Sequence, residues 1–231
     1  MSVITPEATA ALYEEAQQRV MHLVRDLDDA GARTPVPGTP KWTVHDVVAH
    51  LAGIPSDIVE GRLAGIPGPD DTQRQVDARR DASIAQLLDE WSAHSGPIVE
   101  MARAGQIPAP LAIDAITHEQ DIRGALRAAH LDDDAALRFA VTGYSMGVTF
   151  RVKGADLPPL RLHDPARGFD ATTGEGAPAA TVTASEFELF RALAGRRSRA
   201  QVLAFDWEGD PAPYLDVLCV FGPLPEADIS D

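Results

Sequence analysis

The 231-residue chain has a single cysteine, Cys219, so no disulfide can form within it. Its neighbours Leu215, Val217, Leu218 and Val220 are apolar and mark a buried, inert thiol; sulfur chemistry would then need a thiol from outside. Lysine is nearly as scarce: of 20 basic residues only Lys41 and Lys153 are lysines, and the rest are arginines. The bases are outnumbered by 35 acids, for a net charge of −15. That balance argues against a nucleic-acid partner, whose phosphates demand a basic face. It leaves room for a small anionic ligand, because a local arginine or a metal ion overrides the global field. Long hydrophobic runs are also missing. No stretch approaches the ~18 apolar residues that cross a bilayer, and Met1–Thr5 lacks the basic flank of a signal peptide, so the expectation is a cytoplasmic protein with no membrane partner. The sequence has no phosphate-binding glycine loop, internal repeat or low-complexity tract. The Arg- and Ala-rich usage is compatible with a GC-rich, actinobacterial source.

The apolar periodicity divides the chain into two textures. Residues 1–133 read as a bundle of four helices. Leu12, Ala16, Val20, Leu23 and Leu27 form one stripe over Pro6–Asp29, followed by the proline-rich connector Gly31–Pro40. The second helix starts at Thr43, where Thr43 and Asp46 form a capping box, and runs towards Gly65 with a bend near Pro55. Ile66–Asp71 reads as a loop. A third helix spans Thr72–Ala104 with a break at Gly96-Pro97, and a fourth spans Leu111–Ala129. Residues 134–231 read as a small α+β domain: a helix over Ala135–Thr149, strands at Leu160–His163, Ala180–Thr183 and Val202–Phe205, and a helix from the cap Ser185 to the stop Gly195. His163-Asp164 fits a turn better than a catalytic pair.

Polar residues at helical spacing carry the chemistry. Asp114 and His118 are four apart, which stacks a carboxylate and an imidazole on one helix face. The stripe Leu111, Ala115, His118, Ile122, Ala125, Ala129 turns His118 towards a core. In the second helix Val44, Val47, Val48, Leu51 and Ile54 mark the buried side; His50 shares it, and His45 falls on the outer flank. Two imidazoles and a carboxylate suit a divalent ion and leave a coordination position open, the arrangement of a catalytic zinc. The same pattern also fits a core histidine bonded to a carbonyl or carboxylate, beside a simple helical ion pair. Asp121, three residues after His118, is placed to orient that ring or to pair with an arginine. Arg62, Arg80 and Arg123 are candidates for gripping a carboxylate, or solvated arginines.

Three patches, WTVHDVVAHLAGIPSDIVEGR (Trp42–Arg62), QVDARR (Gln75–Arg80) and THEQDIRGAL (Thr117–Leu126), together resemble the mycothiol-dependent maleylpyruvate isomerase family. The run TASEFELFRALAGRRSRAQVLAFDWEGDPAPY (Thr183–Tyr214) resembles the tail of that family. The resemblance implies an α+β protein: an N-terminal DinB-like antiparallel four-helix bundle and a sterol-carrier-like C-terminal domain. It implies one zinc ion per chain, held by a histidine of the second helix and by an acid and a histidine four apart on the fourth, roles that fall on His50, Asp114 and His118. The family's usual acid is glutamate, so Asp114 is a shorter substitute. It implies mycothiol as cosubstrate and an electrophilic small molecule as partner, in a monomer or homodimer. An arginine late in the C-terminal domain is expected to contact substrate in the isomerases. The last arginine here is Arg199, which puts maleylpyruvate itself in doubt.

The expected chemistry is activation of a thiol that attacks an electrophilic carbon. If the adduct reverses after bond rotation the outcome is isomerisation, and if it persists the outcome is S-transfer. Two other readings share the bundle: a metal-dependent hydrolase using water at the open position, and a metal- or ligand-binding regulatory protein without catalysis.

Overall fold

The computed structural model describes residues 3–63, 67–131 and 134–231. By contacts the chain divides into two compact units, Met1–Asp132 with Asp231, and Asp133–Ser230.

The first unit is helical: α1 (Pro6–Val24), α2 (Asp29–Ala32), α3 (Val44–Val59), α4 (Pro69–Ala78), α5 (Ile84–Arg103) and α6 (Pro110–Ala125). The starts are set by side chains that take up otherwise unsatisfied N–H groups. Thr5 accepts from Ala8 N, with Pro6 in the first turn of α1. Thr43 and Asp46 form the expected capping box on α3, with Thr43 N donating to Asp46 Oδ2 at 2.8 Å. Ser83 and Gln86 form another on α5. Pro55 lies inside α3 and Pro97 inside α5. Each lacks the N–H that would bond the preceding turn, yet α5 runs through Gly96-Pro97 unbroken.

The long helix expected over Thr72–Ala104 is in fact two, α4 and α5, and it breaks at Arg79–Ser83, not at Gly96-Pro97. The capping chemistry of Ser83 starts a new helix there and outweighs the proline further on. The expected loop over Ile66–Asp71 is also shorter, since Pro69 already opens α4. Ile66, and Gly65 at the expected end of the second helix, lie outside the described residues, as does the Asp132-Asp133 boundary. The first helix stops at Val24, and Asp28 caps the separate turn α2.

Helix α1 packs on α5 and α6, and α3 packs on the same two, so the four long helices close a ring with α4 laid on α3. Across α1 and α5, Trp91 Nε1 donates to Tyr13 Oη at 2.8 Å. Both rings are buried, and burial pushes the Tyr13 phenol up. Helix α6 is enclosed almost all round: from Leu111 to Ile122 every residue but Asp114 is buried. The expected one-sided stripe understates this. Its members Ala125 and Ala129 are not buried, and the helix ends at Ala125.

The second unit contains α7 (Asp134–Gly154), β1 (Leu160–Asp164), β2 (Phe169–Thr172), β3 (Ala180–Thr183), α8 (Glu186–Leu193), α9 (Arg199–Leu203) and β4 (Asp206–Glu208). The sheet order is β2-β1-β3-β4; β1 pairs antiparallel with β2 and parallel with β3, and β3 pairs antiparallel with β4. Helices α7 and α8 pack on each other, α8 contacts β1, and Leu160, Leu162, Val182 and Phe190 are fully buried. Ser185 caps α8, and Gly195 takes a positive φ of 74° just past its end. The strand expected at Val202–Phe205 is instead the end of α9, because Ser198 and Gln201 form a capping box that commits the segment to a helix. The edge strand follows at Asp206. His163 and Asp164 lie on β1, where Asp164 accepts from Ala166 N, Arg167 N and Glu186 N and so ties the β1–β2 turn to the start of α8. Across both units, no described helix is long and apolar enough to cross a membrane.

Candidate metal centre

Helices α3 and α6 face each other inside the bundle and bring His50, Asp114 and His118 together. One ligand atom from each lies within 4.8 Å of the others. His50 Nε2 is 3.4 Å from Asp114 Oδ2, and His118 Nε2 is 3.5 Å from Asp114 Oδ1. The two rings meet edge to face with centroids 5.2 Å apart. Both histidines are buried, whereas the Asp114 carboxylate is 30% exposed. Asp114 is therefore the member of the cluster nearest solvent.

Each histidine is held from behind. His118 Nδ1 is 3.0 Å from Asp121 Oδ2, whose side chain has no exposure. His50 Nδ1 is 2.9 Å from Gln75 Oε1, and Gln75 Nε2 donates to Asp57 Oδ2 at 2.9 Å. With acceptors behind them, both rings carry their proton on Nδ1 and turn an Nε2 lone pair towards Asp114. Two imidazole nitrogens and a carboxylate converging on one point are a donor set for a cation. A tetrahedral zinc with bonds of about 2.1 Å separates its ligand atoms by about 3.4 Å. The two His–Asp distances match that spacing, so the residues present fit a divalent ion.

The half-buried indole of Trp42 stands beside the pair, 5.3 Å from the His50 ring and 6.0 Å from the His118 ring. His45 turns away, with Nε2 2.7 Å from the Ala82 carbonyl. The three candidate arginines each have an acidic partner. Arg62 bonds Asp57 at 2.8 Å and also pairs with Glu60; Arg80 is exposed and pairs with Asp77; Arg123 bonds Glu119 at 3.0 Å and the Ala129 carbonyl.

Gln75, Asp57 and Trp42 were not singled out from the sequence. Gln75 opens the QVDARR patch and Trp42 opens the tryptophan–histidine patch, so both were in view without a role. Nothing in the residue pattern pairs a position on α4 with one on α3. Glu119 has no exposure, because Arg19 and Arg123 both bond its carboxylate. Removing one partner of a buried pair strands the other charges. Glu119→Ala is expected to cost about 3 kcal/mol, with part-exposed Arg19 and Arg123 keeping the loss near the lower bound. Thermal melts of the metal-free protein would measure it, and an unchanged melting temperature would show the pair to be inert.

A family model described as the mycothiol maleylpyruvate isomerase N-terminal domain matches residues 13–157, more than half of the chain. Among solved structures, a crystal structure of a histidine-to-alanine mutant of the mycothiol-dependent maleylpyruvate isomerase is similar at 13% identity and a TM-score of 0.55, covering 96% of this chain and 95% of that one. A second crystal structure of the mycothiol-dependent maleylpyruvate isomerase is similar at 14% identity and a TM-score of 0.52, covering 83% and 90%. At these identities the structures establish the likeness of fold. No curated protein sequence matches the chain.

Proposed function

The chain belongs to the mycothiol-dependent maleylpyruvate isomerase family, and from that premise we propose that His50, Asp114 and His118 hold one zinc ion that serves a thiol-dependent isomerase or S-transferase. The observation that carries the reading is the geometry of the two Nε2 atoms, 3.4 and 3.5 Å from one carboxylate, with both Nδ1 atoms already engaged. When bound, the ion favours the thiolate form of a low-molecular-weight thiol at neutral pH. The protein's own contribution is positional. Asp121 and Gln75 keep the imidazole protons on Nδ1, the bundle buries both rings, and Asp114, the most exposed of the three, marks the side from which a thiol would approach. The Trp42 indole lies beside both rings.

Mycothiol is the thiol that the family assignment supports, and an electrophilic small molecule is the second substrate. For Arg62, Arg80 or Arg123 to grip a substrate carboxylate, it must first release the acid it now pairs with. The bundle, as residues 1–133, is the metal-binding domain in this reading, and residues 134–231 form the second domain. Such a protein works in the cytoplasm.

The purified protein is expected to carry about one divalent metal per chain, with zinc preferred. Elemental analysis after chelator-free purification and a zinc challenge checks this. Absence of bound metal would sink the assignment, and stoichiometric zinc without thiol-dependent turnover across a panel of electrophiles would favour a binding protein on the same bundle.

A further inference from the structure

The two histidines of the cluster are held by different chemistry. His118 rests on a carboxylate; His50 rests on a neutral amide that belongs to a buried polar chain. Asp57 and Gln75 are both almost fully buried. Asp57 takes Arg62 Nε at 2.8 Å on Oδ1 and Gln75 Nε2 at 2.9 Å on Oδ2, with Arg74 3.8 Å from the same oxygen. A carboxylate only accepts, so Asp57 forces the Gln75 amide to present its NH₂ group outward. The amide oxygen must then face His50, and His50 must carry its proton on Nδ1. The direction of every bond in the chain is fixed by the carboxylate at its far end.

A second observation shows that this contact is built by backbone packing. Gly53 lies one helical turn beyond His50, on the same face of α3. A Cβ at Gly53 would stand 2.8 Å from Gln75 Cβ and 2.9 Å from Gln75 Cγ, closer than real Cβ atoms approach. The obstacle is the root of the Gln75 side chain, which cannot swing aside, together with Arg79 Nη1 at 2.9 Å. Glycine at 53 therefore lets α4 lie close enough for Gln75 to reach His50.

Resting on the metal site proposed above, we infer that Gln75 is a positioning residue for the metal ligand His50, with its amide oriented by Asp57 and its approach permitted by Gly53. The chain selects the tautomer whose Nε2 lone pair faces Asp114 and fixes the plane of the ring. It makes no contact with substrate.

The test is Zn²⁺ affinity by competition with a chromophoric chelator, together with the visible spectrum of the Co²⁺-loaded full-length protein and the thermal melt of the metal-free protein. Partners behind metal-bound histidines typically contribute 10–100-fold in affinity. Gln75→Met keeps the volume and removes the acceptor, so Zn²⁺ affinity should fall in that range and the Co²⁺ spectrum should change. Gly53→Ala, whose added methyl presses on Gln75 and also on Arg79 Nη1, should weaken Zn²⁺ binding in the same direction. In the double variant Gln75→Glu/Asp57→Asn a carboxylate faces His50 and an amide supplies the donor, so the bond directions survive; affinity should stay within about threefold of wild type. Arg103→Ala, exposed and remote from the chain, is the control. If Gln75→Met binds Zn²⁺ within twofold of wild type with an unchanged Co²⁺ spectrum, the inference is overturned while the metal site stands. A double variant as weak as Gln75→Met, at an unchanged thermal melt, overturns the role of Asp57 and the bond-direction argument. A wild-type protein that binds no metal overturns the site and this inference together.

Discussion

His118→Ala is expected to abolish metal binding and thiol-dependent turnover, whereas His45→Ala leaves both nearly intact. The two histidines look interchangeable by composition, and the fold separates them. His118 Nε2 stands 3.5 Å from Asp114 within the cluster, in a buried position. Its loss leaves one imidazole and one carboxylate, too few to retain zinc against water. Four-ligand structural zinc sites bind with ~10–16 kcal/mol, a few kcal/mol per ligand, so losing one ligand of three should weaken affinity by at least about 100-fold. Asp121 Oδ2 also loses the imidazole N–H in the same step. His45 instead pins the start of α3 to the Ala82 carbonyl before α5, so its removal costs about 1 kcal/mol of stability and leaves the cluster alone. Zinc content, chelator competition and turnover with added thiol measure the contrast. Equal losses in both variants would mean that the metal draws on the outer face of α3.

The phase argument that separated His50 from His45 was available from the sequence because the cap of α3 is unambiguous and its first turn is one-sided, although every residue from Val47 to Asp57 is buried. Val44, Val47, Val48 and Leu51 fix which side is buried, and the Thr43–Asp46 box fixes where the helix starts. The Asp114–His118 pair was legible for the same reason, a spacing of one helical turn. What stayed hidden depends on contacts between elements. The spacing of Asp121 behind His118 was legible, but the burial of Glu119, Gln120 and Asp121 together was not. Glu119 is paired by arginines on α1 and α6, and the Gln120 amide oxygen accepts from Leu131 N. Such burial becomes visible only when the partner helix is in place. The segment Val202–Phe205 shows the reverse failure. Its apolar run suggests a strand, but the Ser198–Gln201 box just before it decides for a helix. Local capping there overrides β-propensity, as Ser83 overrides the expectation of a break at Pro97.

Turnover is expected to depend wholly on added thiol and not on the protein's own sulfur. Cys219 is buried at 2% exposure, and a Cβ at Gly195 would stand only 2.8 Å from its Sγ. Burial pushes the Cys219 thiol above its ordinary range; the Phe221 backbone contact and the charges of Arg196 and Arg151 pull the other way without cancelling it. At neutral pH the group is a protonated thiol, and a reactive cysteine needs the opposite environment, one that favours thiolate. Cys219→Ser should therefore cost about 1 kcal/mol of stability, as a hydroxyl replaces a small apolar group, and leave zinc content and catalysis in place. The measurement is turnover of an electrophile by the Cys219→Ser variant with mycothiol, with glutathione and with no thiol. Activity with mycothiol should match wild type, activity with glutathione should be much lower if the sugar portion is recognised, and activity without thiol should fall to background. Turnover that requires Cys219 and ignores added thiol would transfer the chemistry to the second unit and make the His50–Asp114–His118 cluster a bystander.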